Sequence, residues 1–336
     1  METVILNDDQ IAQAANFLAK GKLVAFPTET VYGLGADATR PDIVKDVYAA
    51  KGRPSDNPLI VHVDGPEMVW QYADLDYKPL AEKLMKRFWP GPLTIIMPIQ
   101  PGTLSPEVTG GLKTAAFRMP NNQVTLSLIK QFGKPIVGPS ANTSGKPSPT
   151  EAKHVYHDLN GKIAAILDDG PTKIGVESTV IDLSVDIPTI LRPGMVTEDD
   201  LIEVLGDVRS DHHKVTQEEI PKAPGMKYKH YAPNAQVIII DNQADFESAI
   251  AKYSQETSKI GILATDQVLN QISENYPKFS LGKDVITASQ HLFAGLRELD
   301  NSQMDYILAQ GFPDTEHSAA YTNRLNKSAG QQHYTK

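Results

Sequence analysis

The sequence KGRPSDNPLIVHV, residues 51–63, places a cation-rich loop between a predicted helix and a predicted strand. The helix covers Pro41–Ala50 and the strand covers Leu59–Val63. Lys51 and Arg53 flank a glycine, and this pair suits phosphate, because lysine supplies a point charge and arginine a bidentate fork. The alternative is a solvated basic turn, since cations are favoured at a helix C-terminus in any case. The loop alone leaves both interpretations open.

Helices and strands alternate outward from this loop in both directions. A helix is predicted from Asn7, with Gln10 three residues further on, to Gly21. The apolar run Lys22–Phe26 then indicates a strand that ends in a polar loop at a sheet edge. The other predicted strands are Leu93–Met97, Thr114–Arg118, Pro135–Val137, Ala164–Leu167, Thr179–Leu183 and Thr189–Leu191. The other predicted helices are Pro79–Phe88, Gln123–Phe132, Thr150–Leu159 and Thr197–Leu205. This alternation predicts a mixed α/β sheet domain.

The pattern stops between about Gly206 and Pro233, where the sequence is polar and has no amphipathic period. Such a segment is typical of a linker. A strand, a helix and a strand follow, so a second and smaller α/β unit is expected. We therefore predict a first domain at 1–206, a linker at 207–234 and a second domain at 235–336. The chain of 336 residues fits two domains, because single cores stop growing at about 250–300 residues.

The composition excludes several classes of protein. The chain has no cysteine, which rules out disulfides, zinc–thiolate sites and a cysteine nucleophile. It has no run of 18 apolar residues and no basic leader before an apolar segment, so we expect a cytoplasmic protein without a membrane partner. The net charge of -9 argues against a broad nucleic-acid-binding surface and favours a small phosphorylated substrate.

A second polar cluster, VGPSANTSGKPSPT at residues 137–150, follows a short apolar strand. Its hydroxyls, amides and backbone N–H groups would lie at a strand end, where open α/β sheets usually bind ligands. Arg118 and Arg192 also stand at strand ends, and an exposed ion pair stabilises a fold by only about 0–1 kcal/mol. An anionic ligand is the better explanation for these positions.

The sequence lacks the familiar nucleotide-binding and hydrolase motifs. GLGADA, at residues 33–38, does not open a helix as a dinucleotide fingerprint requires. The chain has no G-x-x-x-x-G-K-[ST] sequence, and Ser140 lies in GPSAN rather than in G-x-S-x-G.

Six segments in order resemble the threonylcarbamoyl-adenylate synthases with a YrdC-like domain: KGRPSDNPLIVHV, FWPGPLTIIM, FRMPNN, GPSANTSGKPSPT, GVESTVIDL and ILRPGMV. The resemblance spans roughly Ile11 to Val196, and APGMKYKHYAP with the α/β unit after it resembles the long form of the family. It implies an N-terminal YrdC-like twisted mixed β-sheet with flanking helices, a linker, and a smaller C-terminal Rossmann-like α/β domain.

The implied reaction joins L-threonine, bicarbonate and ATP into threonylcarbamoyl-adenylate and pyrophosphate, for the N6-threonylcarbamoyladenosine (t6A) modification of tRNA. Catalysis would rest on positioning and charge neutralisation, with Lys51 and Arg53 as the catalytic cations. The resemblance implies that ATP contacts Arg53, Asn57, Thr114, Ser140, Asn142, Ser148, Arg192 and Tyr231. It implies that L-threonine contacts Thr30, His62, Arg118 and Ser178. Mg²⁺ is expected on the phosphates, without a dedicated protein metal site.

Further expectations concern the linker and the partners. Tyr231 would reach the nucleotide from the linker, which we interpret as a lid. The product would pass to a separate tRNA threonylcarbamoyl transferase, and we do not expect the chain itself to bind tRNA. Two alternatives stay open at this point: a noncatalytic module that binds double-stranded RNA, and an enzyme that adenylates another amine.

Overall fold

The computed structural model describes residues 2–55, 57–210, 221–222, 230–273 and 275–336. The chain forms two compact units. The first comprises Met1–Ser144, Pro149–Thr172 and Glu177–Lys227, and the second comprises Gly145–Ser148, Lys173–Val176 and Tyr228–Lys336. Much of the predicted linker, residues 211–220 and 223–229, lies outside the described residues, so the interpretation of that segment as a lid stays a prediction.

The described part of the first unit is built on one eleven-stranded mixed sheet. Its strands are β1 Val4–Leu6, β2 Val24–Phe26, β3 Gly33–Asp37, β4 Ile60–His62, β5 Leu93–Pro98, β6 Thr114–Arg118, β7 Ile136–Val137, β8 Ala165–Leu167, β9 Thr179–Asp182, β10 Thr189–Arg192 and β11 Arg209–Ser210. Their spatial order is β1-β8-β2-β3-β7-β4-β6-β5-β9-β10-β11. The helices are α1 Ile11–Ala19, α2 Pro41–Lys51, α3 Pro66–Val69, α4 Lys78–Phe88, α5 Pro106–Thr109, α6 Gln123–Phe132, α7 Ala152–Leu159 and α8 Glu198–Leu205. The predicted mixed α/β fold is confirmed.

Local signals explain several of these boundaries. Helix α2 has Pro41 in its first turn and ends at Gly52, whose φ of 62° is a left-handed conformation that glycine adopts without strain. Helix α6 begins after Asn122, whose side chain accepts a hydrogen bond from the Thr125 N–H, and it ends at Gly133. The predicted bounds of α6 are confirmed.

Helices pack on both faces of the sheet. Apolar residues of α1 and α6, among them Leu18 and Ile129, pack with Val24 and Phe26 on one face. A larger core fills the other face, where α2, α4, α7 and α8 pack; its members include Val44, Leu84, Val155 and Leu201. Side chains of a strand alternate between the two faces. His62 and Arg118 therefore share the α1 and α6 face with Ile60 and Ala116, over the neighbouring strands.

The amino-terminal part of the sheet contains two strands that the sequence patterns did not predict. Strand β1 was not predicted, although it pairs with β8. Segment 33–37, which the sequence analysis considered only as a dinucleotide motif, forms the buried strand β3. The preceding strand β2, predicted within residues 22–26, lies between β8 and β3. The reason for both glycines is steric: a Cβ on Gly33 would lie 2.5 Å from Phe26 Cζ, and one on Gly35 would lie 2.8 Å from the Val24 carbonyl oxygen.

The second unit has its own parallel sheet, in the order β12-β15-β13-β14. The strands are β12 Gln236–Ile240, β13 Ile260–Ala264, β14 Lys278–Ser280 and β15 Tyr306–Gln310. The helices are α9 Phe246–Tyr253, α10 Asp266–Leu269, α11 Val285–Asn301 and α12 Ala319–Ala329. Helix α12 shows that part of the tail beyond Gly311 is an ordered helix, packed through Tyr321 and Leu325.

Two hydrogen-bonded contacts tie segment 145–148 to this second unit. Arg297 of α11 donates from Nε and Nη2 to the Pro147 carbonyl oxygen at 3.1 and 2.6 Å. The Ala232 N–H donates to the Gly145 carbonyl oxygen at 2.9 Å. Across the described parts of both units, every helix is too short or too polar to traverse a bilayer.

Candidate active site

Strands β4 and β6 end side by side with His62 and Arg118, two of the residues predicted to contact threonine. The strands are parallel and their register pairs His62 with Arg118. Both side chains are buried, with 2% and 4% exposure. Because the carboxyl ends of neighbouring parallel strands lie at one edge, the sequence brings these residues together through strand pairing alone.

Three groups from two segments hold Arg118. Its Nε donates to the Gly91 carbonyl oxygen at 3.3 Å, and its Nη1 donates to Thr30 Oγ1 at 2.9 Å. Its Nη2 lies 2.7 Å from Glu29 Oε2 in a buried ion pair, with both side chains 5% exposed. Thr30 Oγ1 also lies 2.8 Å from Thr28 Oγ1. This arrangement fixes the plane of the guanidinium, which is the group best suited to hold a carboxylate.

His62 is uncharged at neutral pH. Burial, and secondarily the positive charge of Arg118, lowers the pKa of His62 from 6.5 to about 3. The imidazole packs edge-on against Phe26, with 5.2 Å between ring centroids, and a Cβ on Gly138 would lie 2.5 Å from Nδ1. Nδ1 is buried and has no hydrogen-bond partner among the described residues. A neutral imidazole in this position can exchange one hydrogen bond with a ligand.

A chain of polar side chains continues across β5, β9 and β10. Ser178 Oγ lies 2.7 Å from Thr94 Oγ1 and accepts a hydrogen bond from Arg192 Nη2 at 3.1 Å. Arg192 Nε donates to the Ser178 carbonyl oxygen at 3.0 Å, and Arg192 is 4% exposed. Ser178 and Arg192, predicted for threonine and for ATP respectively, are therefore direct neighbours.

Lys51 joins the two polar loops found in the sequence. Its ammonium group donates to the carbonyl oxygens of Ser140 and Asn142, the latter at 2.8 Å, and lies 3.4 Å from Asn142 Oδ1. The Ser144 N–H donates back to the Lys51 carbonyl oxygen at 2.8 Å. Lys51 is 2% exposed, so its charge compensates carbonyl dipoles of the second loop as well as any anion bound there.

Asn57 and Arg53 belong to the first loop but differ in their surroundings. The Asn57 side chain is fully buried, and neither its Oδ1 nor its Nδ2 has a hydrogen-bond partner among the described residues. A buried amide without partners costs free energy unless a ligand satisfies it. The Arg53 guanidinium lies 6.0 Å from the Tyr48 ring centroid and lines a cavity of about 680 Å³ with Lys45, Ser55 and Glu107.

The remaining predicted residues are one at the start of β6 and two of the second unit. Thr114 is the first residue of β6, four residues from Arg118, which places it on the same face about 13 Å away. Ser148 and Tyr231 both belong to the second unit. Ser148 is fully buried, and Tyr231, with φ 63°, packs on Phe293 at 5.1 Å between ring centroids. Their roles toward ATP stay predictions.

Glu29, Thr28 and Thr94 were not predicted as site residues. Glu29 precedes Thr30 in the segment FPTET, and no spacing in the sequence links it to Arg118, 89 residues further on. Thr94 is an inward-facing residue of an apolar strand, where a lone threonine carries no pattern. The signal that could have revealed Glu29 is that a carboxylate follows a buried strand directly, within a loop of otherwise uncharged residues.

The part of the chain that the structure describes contains no group of three or more His, Asp or Glu side chains that could hold a metal ion. The site instead presents neutral hydrogen-bonding groups and several buried cations, among them Arg118 beside a carboxylate, Arg192 beside Ser178 and Lys51 within a loop. This set can bind a small ligand that carries opposite charges, together with an anionic one.

Comparisons with known proteins cover the whole chain. A family model described as "Telomere recombination" matches residues 16–194, and one described as "Threonylcarbamoyl-AMP synthase, C-terminal domain" matches residues 196–330. The threonylcarbamoyl-AMP synthase of Bacillus subtilis is 50% identical over 96% of this chain and 94% of its own length. That of Pyrococcus abyssi is 44% identical over 98% of both chains.

A solved structure agrees with these relatives. The crystal structure of Pyrococcus abyssi Sua5 complexed with L-threonine has a TM-score of 0.92 and 43% identity to this chain, and it covers 98% of this chain and 99% of its own. The fold implied by the sequence resemblance, with a YrdC-like domain and a C-terminal domain, is thereby confirmed. The chain belongs to the threonylcarbamoyl-AMP synthase family.

Proposed function

We propose that this chain is a threonylcarbamoyl-AMP synthase that makes L-threonylcarbamoyladenylate and pyrophosphate from L-threonine, bicarbonate and ATP, as the first step of tRNA t6A modification. The observation that carries the proposal is the buried Arg118, fixed beside Thr30 and His62 at the edge of the sheet. A planar cation in a dry site binds a carboxylate strongly, because little solvent competes for it.

The assignment of individual residues forms part of the proposal. Arg118 binds the threonine carboxylate, and Thr30, His62 and Ser178 supply hydrogen bonds around it. Lys51 and Arg53 neutralise the phosphates, while Asn57, whose buried amide lacks a protein partner in the described residues, hydrogen-bonds to ATP. Thr114, Ser140, Asn142, Ser148, Arg192 and Tyr231 complete the nucleotide contacts. Nothing in this set requires a covalent intermediate, so catalysis comes from positioning and charge compensation.

Mg²⁺ enters this scheme as part of the substrate MgATP. Phosphate oxygens and water are ordinary magnesium ligands, and Mg²⁺ is usually bound through substrate phosphates rather than by an all-protein cage. The proposed location is the cytoplasm, and the proposed consumer of the adenylate is a separate tRNA threonylcarbamoyl transferase.

The test is to identify by mass the product formed from ATP, bicarbonate and a mixture of amino acids. We expect threonylcarbamoyl-adenylate with equimolar pyrophosphate, and no turnover without bicarbonate. Serine should be used poorly, since one methyl group discriminates by only about 10–200-fold. An adenylate of a different amine, or pyrophosphate release indifferent to threonine, would contradict the proposal.

A further inference from the structure

Glu29 is a buried carboxylate that the proposed residue roles do not use. Its side chain is 5% exposed, and Oε2 lies 2.7 Å from Arg118 Nη2. Oε1 is buried without a hydrogen-bond partner among the described residues. A buried carboxylate oxygen without a donor is costly, because desolvation is not compensated. The structure thus holds an acceptor directly beside the proposed carboxylate-binding cation.

The charges of this pair match those of a free amino acid. Glu29 and Arg118 place a negative and a positive charge side by side in a site shielded from water. An α-amino acid at neutral pH carries an ammonium group and a carboxylate on one carbon atom. Binding it with its carboxylate at Arg118 and its ammonium at Glu29 gives each of these two buried charges a partner of opposite sign.

We propose that Glu29 is a catalytic residue that binds the α-ammonium group of threonine and takes its proton. This inference rests on the proposed function. The threonine ammonium transfers one proton to the Glu29 carboxylate and becomes a neutral amine with a free electron pair. That pair forms the N–C bond to bicarbonate, and loss of water gives the N-carboxylate that attacks ATP. The threonine ammonium and bicarbonate thus become the N-carboxylate, one water molecule and the proton held by Glu29.

His62, the other titratable group beside Arg118, offers the ligand no charge. Its pKa of about 3 reflects burial and the neighbouring Arg118 charge, which together disfavour an imidazolium. It can therefore accept a hydrogen bond from the ligand but does not hold a proton near neutral pH. When the ligand carboxylate pairs with Arg118, the Glu29 carboxylate can pair with the ligand ammonium group.

The first test compares two ligands on two proteins by isothermal titration calorimetry. L-threonine carries the ammonium group, whereas 3-hydroxybutanoate has the same carboxylate, hydroxyl and carbon skeleton without it. We expect the wild-type chain to prefer threonine by about 10–100-fold, the usual worth of a charged hydrogen bond. Glu29→Gln should bind the two ligands about equally. If the substitution weakens both ligands by the same factor, Glu29 only orients Arg118 and the proposal is overturned.

The second test addresses the proton. In Glu29→Gln the amine must lose its proton to solvent, so kcat/KM for threonine should rise about tenfold per pH unit between pH 6.5 and 8.5. The wild-type profile should be flatter, because the carboxylate removes the proton within the complex. Parallel profiles for the two proteins would overturn the role of Glu29 as a proton acceptor.

Two further variants serve as a conservative substitution and a control for these measurements. Glu29→Asp keeps the charge beside Arg118 but shortens the side chain by one methylene group, so it should lower the preference for threonine. This variant serves as the test if Glu29→Gln does not fold. An unchanged preference would contradict the proposal. Asp37→Asn alters another buried acid, which pairs with Lys134 at 3.0 Å, and should leave the preference unchanged. Wild-type protein that makes no threonine adduct would contradict the proposed function, whereas active wild type with an insensitive Glu29 would contradict this inference alone.

Discussion

At the scale of single residues, His62 has the clearest consequence for stability. Its pKa is lowered to about 3 in the folded chain, while an unfolded histidine titrates near 6.5. Between these values the unfolded chain binds more protons than the folded chain, so stability must fall as the pH drops through this window. Above pH 6.5 the neutral His62 does not lower the free energy of unfolding. At pH 5 its burial lowers that free energy by about 2 kcal/mol.

Between pH 7 and pH 5, the free energy of unfolding should fall by about 2 kcal/mol less in His62→Gln than in the wild type. Urea unfolding of both proteins at the two pH values gives this difference directly. His157→Gln is the matched control, because His157 belongs to the same unit but its side chain is 65% exposed rather than buried. Equal losses in the wild type and His62→Gln would mean that His62 titrates normally.

At the scale of elements, α2 and the loop 138–144 are joined through Lys51. One buried ammonium group binds two backbone carbonyl oxygens of this loop, and hydrogen bonds to charged groups contribute about 1.5–3 kcal/mol each. The amides of Ala141 and Ser144 are themselves bonded to the Tyr32 and Lys51 carbonyl oxygens. Removing the ammonium group should therefore loosen the loop while leaving α2 in place.

Lys51→Met should weaken ATP binding by about tenfold or more and speed hydrogen exchange at the amides of Ala141 and Ser144. Hydrogen exchange with mass spectrometry, combined with ATP titration, measures both effects. Lys153→Met serves as the control, because the side chain of Lys153 is 66% exposed and pairs with Glu151 at 3.0 Å. Unchanged exchange at both amides would show that other contacts hold the loop.

Gly138 is required by close packing at the end of β7. A Cβ there would lie 2.5 Å from His62 Nδ1 and 2.6 Å from Phe26 Cζ, and both rings are fixed by their neighbours. Gly138→Ala should cost about 1–3 kcal/mol through overpacking and should lower threonine affinity by displacing His62. Thermal unfolding and threonine titration test this, with Gly65→Ala as control, since a Cβ at Gly65 meets nothing within 4 Å. A variant as stable as wild type would show that the rings can move.

Element-scale patterns were largely readable from the sequence. Helix α6 and strand β6 have the predicted bounds, because apolar periodicity, an asparagine cap and a terminal glycine act locally. Strand β3 could not be predicted, since its glycines are explained by the Phe26 ring of the neighbouring strand. The partner of Glu29 was equally invisible, because the pair forms only when β2 and β6 are placed in one sheet. Arg118 was singled out by its place at a strand end and His62 through the resemblance, whereas their contacts required the fold.

At the scale of the whole molecule, the sequence indicated two α/β units, but not how their sequence segments interleave. Residues 145–148 and 173–176 belong to the second unit, although first-unit residues flank them on both sides in the sequence. Hydrogen bonds such as that from Arg297 to Pro147 assign them there, across 150 residues of chain. Contacts over such separations leave no periodic signal, which is why sequence patterns place boundaries only where local composition changes.

The charge of the whole chain leads to the last prediction. It carries 32 Lys and Arg residues against 41 Asp and Glu residues, for a net charge of -9. Electrostatic attraction to phosphates supplies most nonspecific affinity for nucleic acid, so a polyanionic chain should bind tRNA weakly at physiological salt. We expect labelled tRNA to show no saturable change in fluorescence anisotropy up to about 10 µM protein, the tight end of nonspecific binding being about 10⁻⁶ M.

The same titration distinguishes the synthase from an RNA-binding module. For the synthase, adding tRNA should leave the rate of threonine-dependent pyrophosphate release unchanged, because the adenylate is made without the RNA. Submicromolar binding that weakens steeply between 50 and 200 mM salt would instead reveal a local basic surface strong enough to overcome the net charge. In that case the acceptor RNA would be bound by the enzyme that makes the adenylate, and transfer of the product would not require a free intermediate.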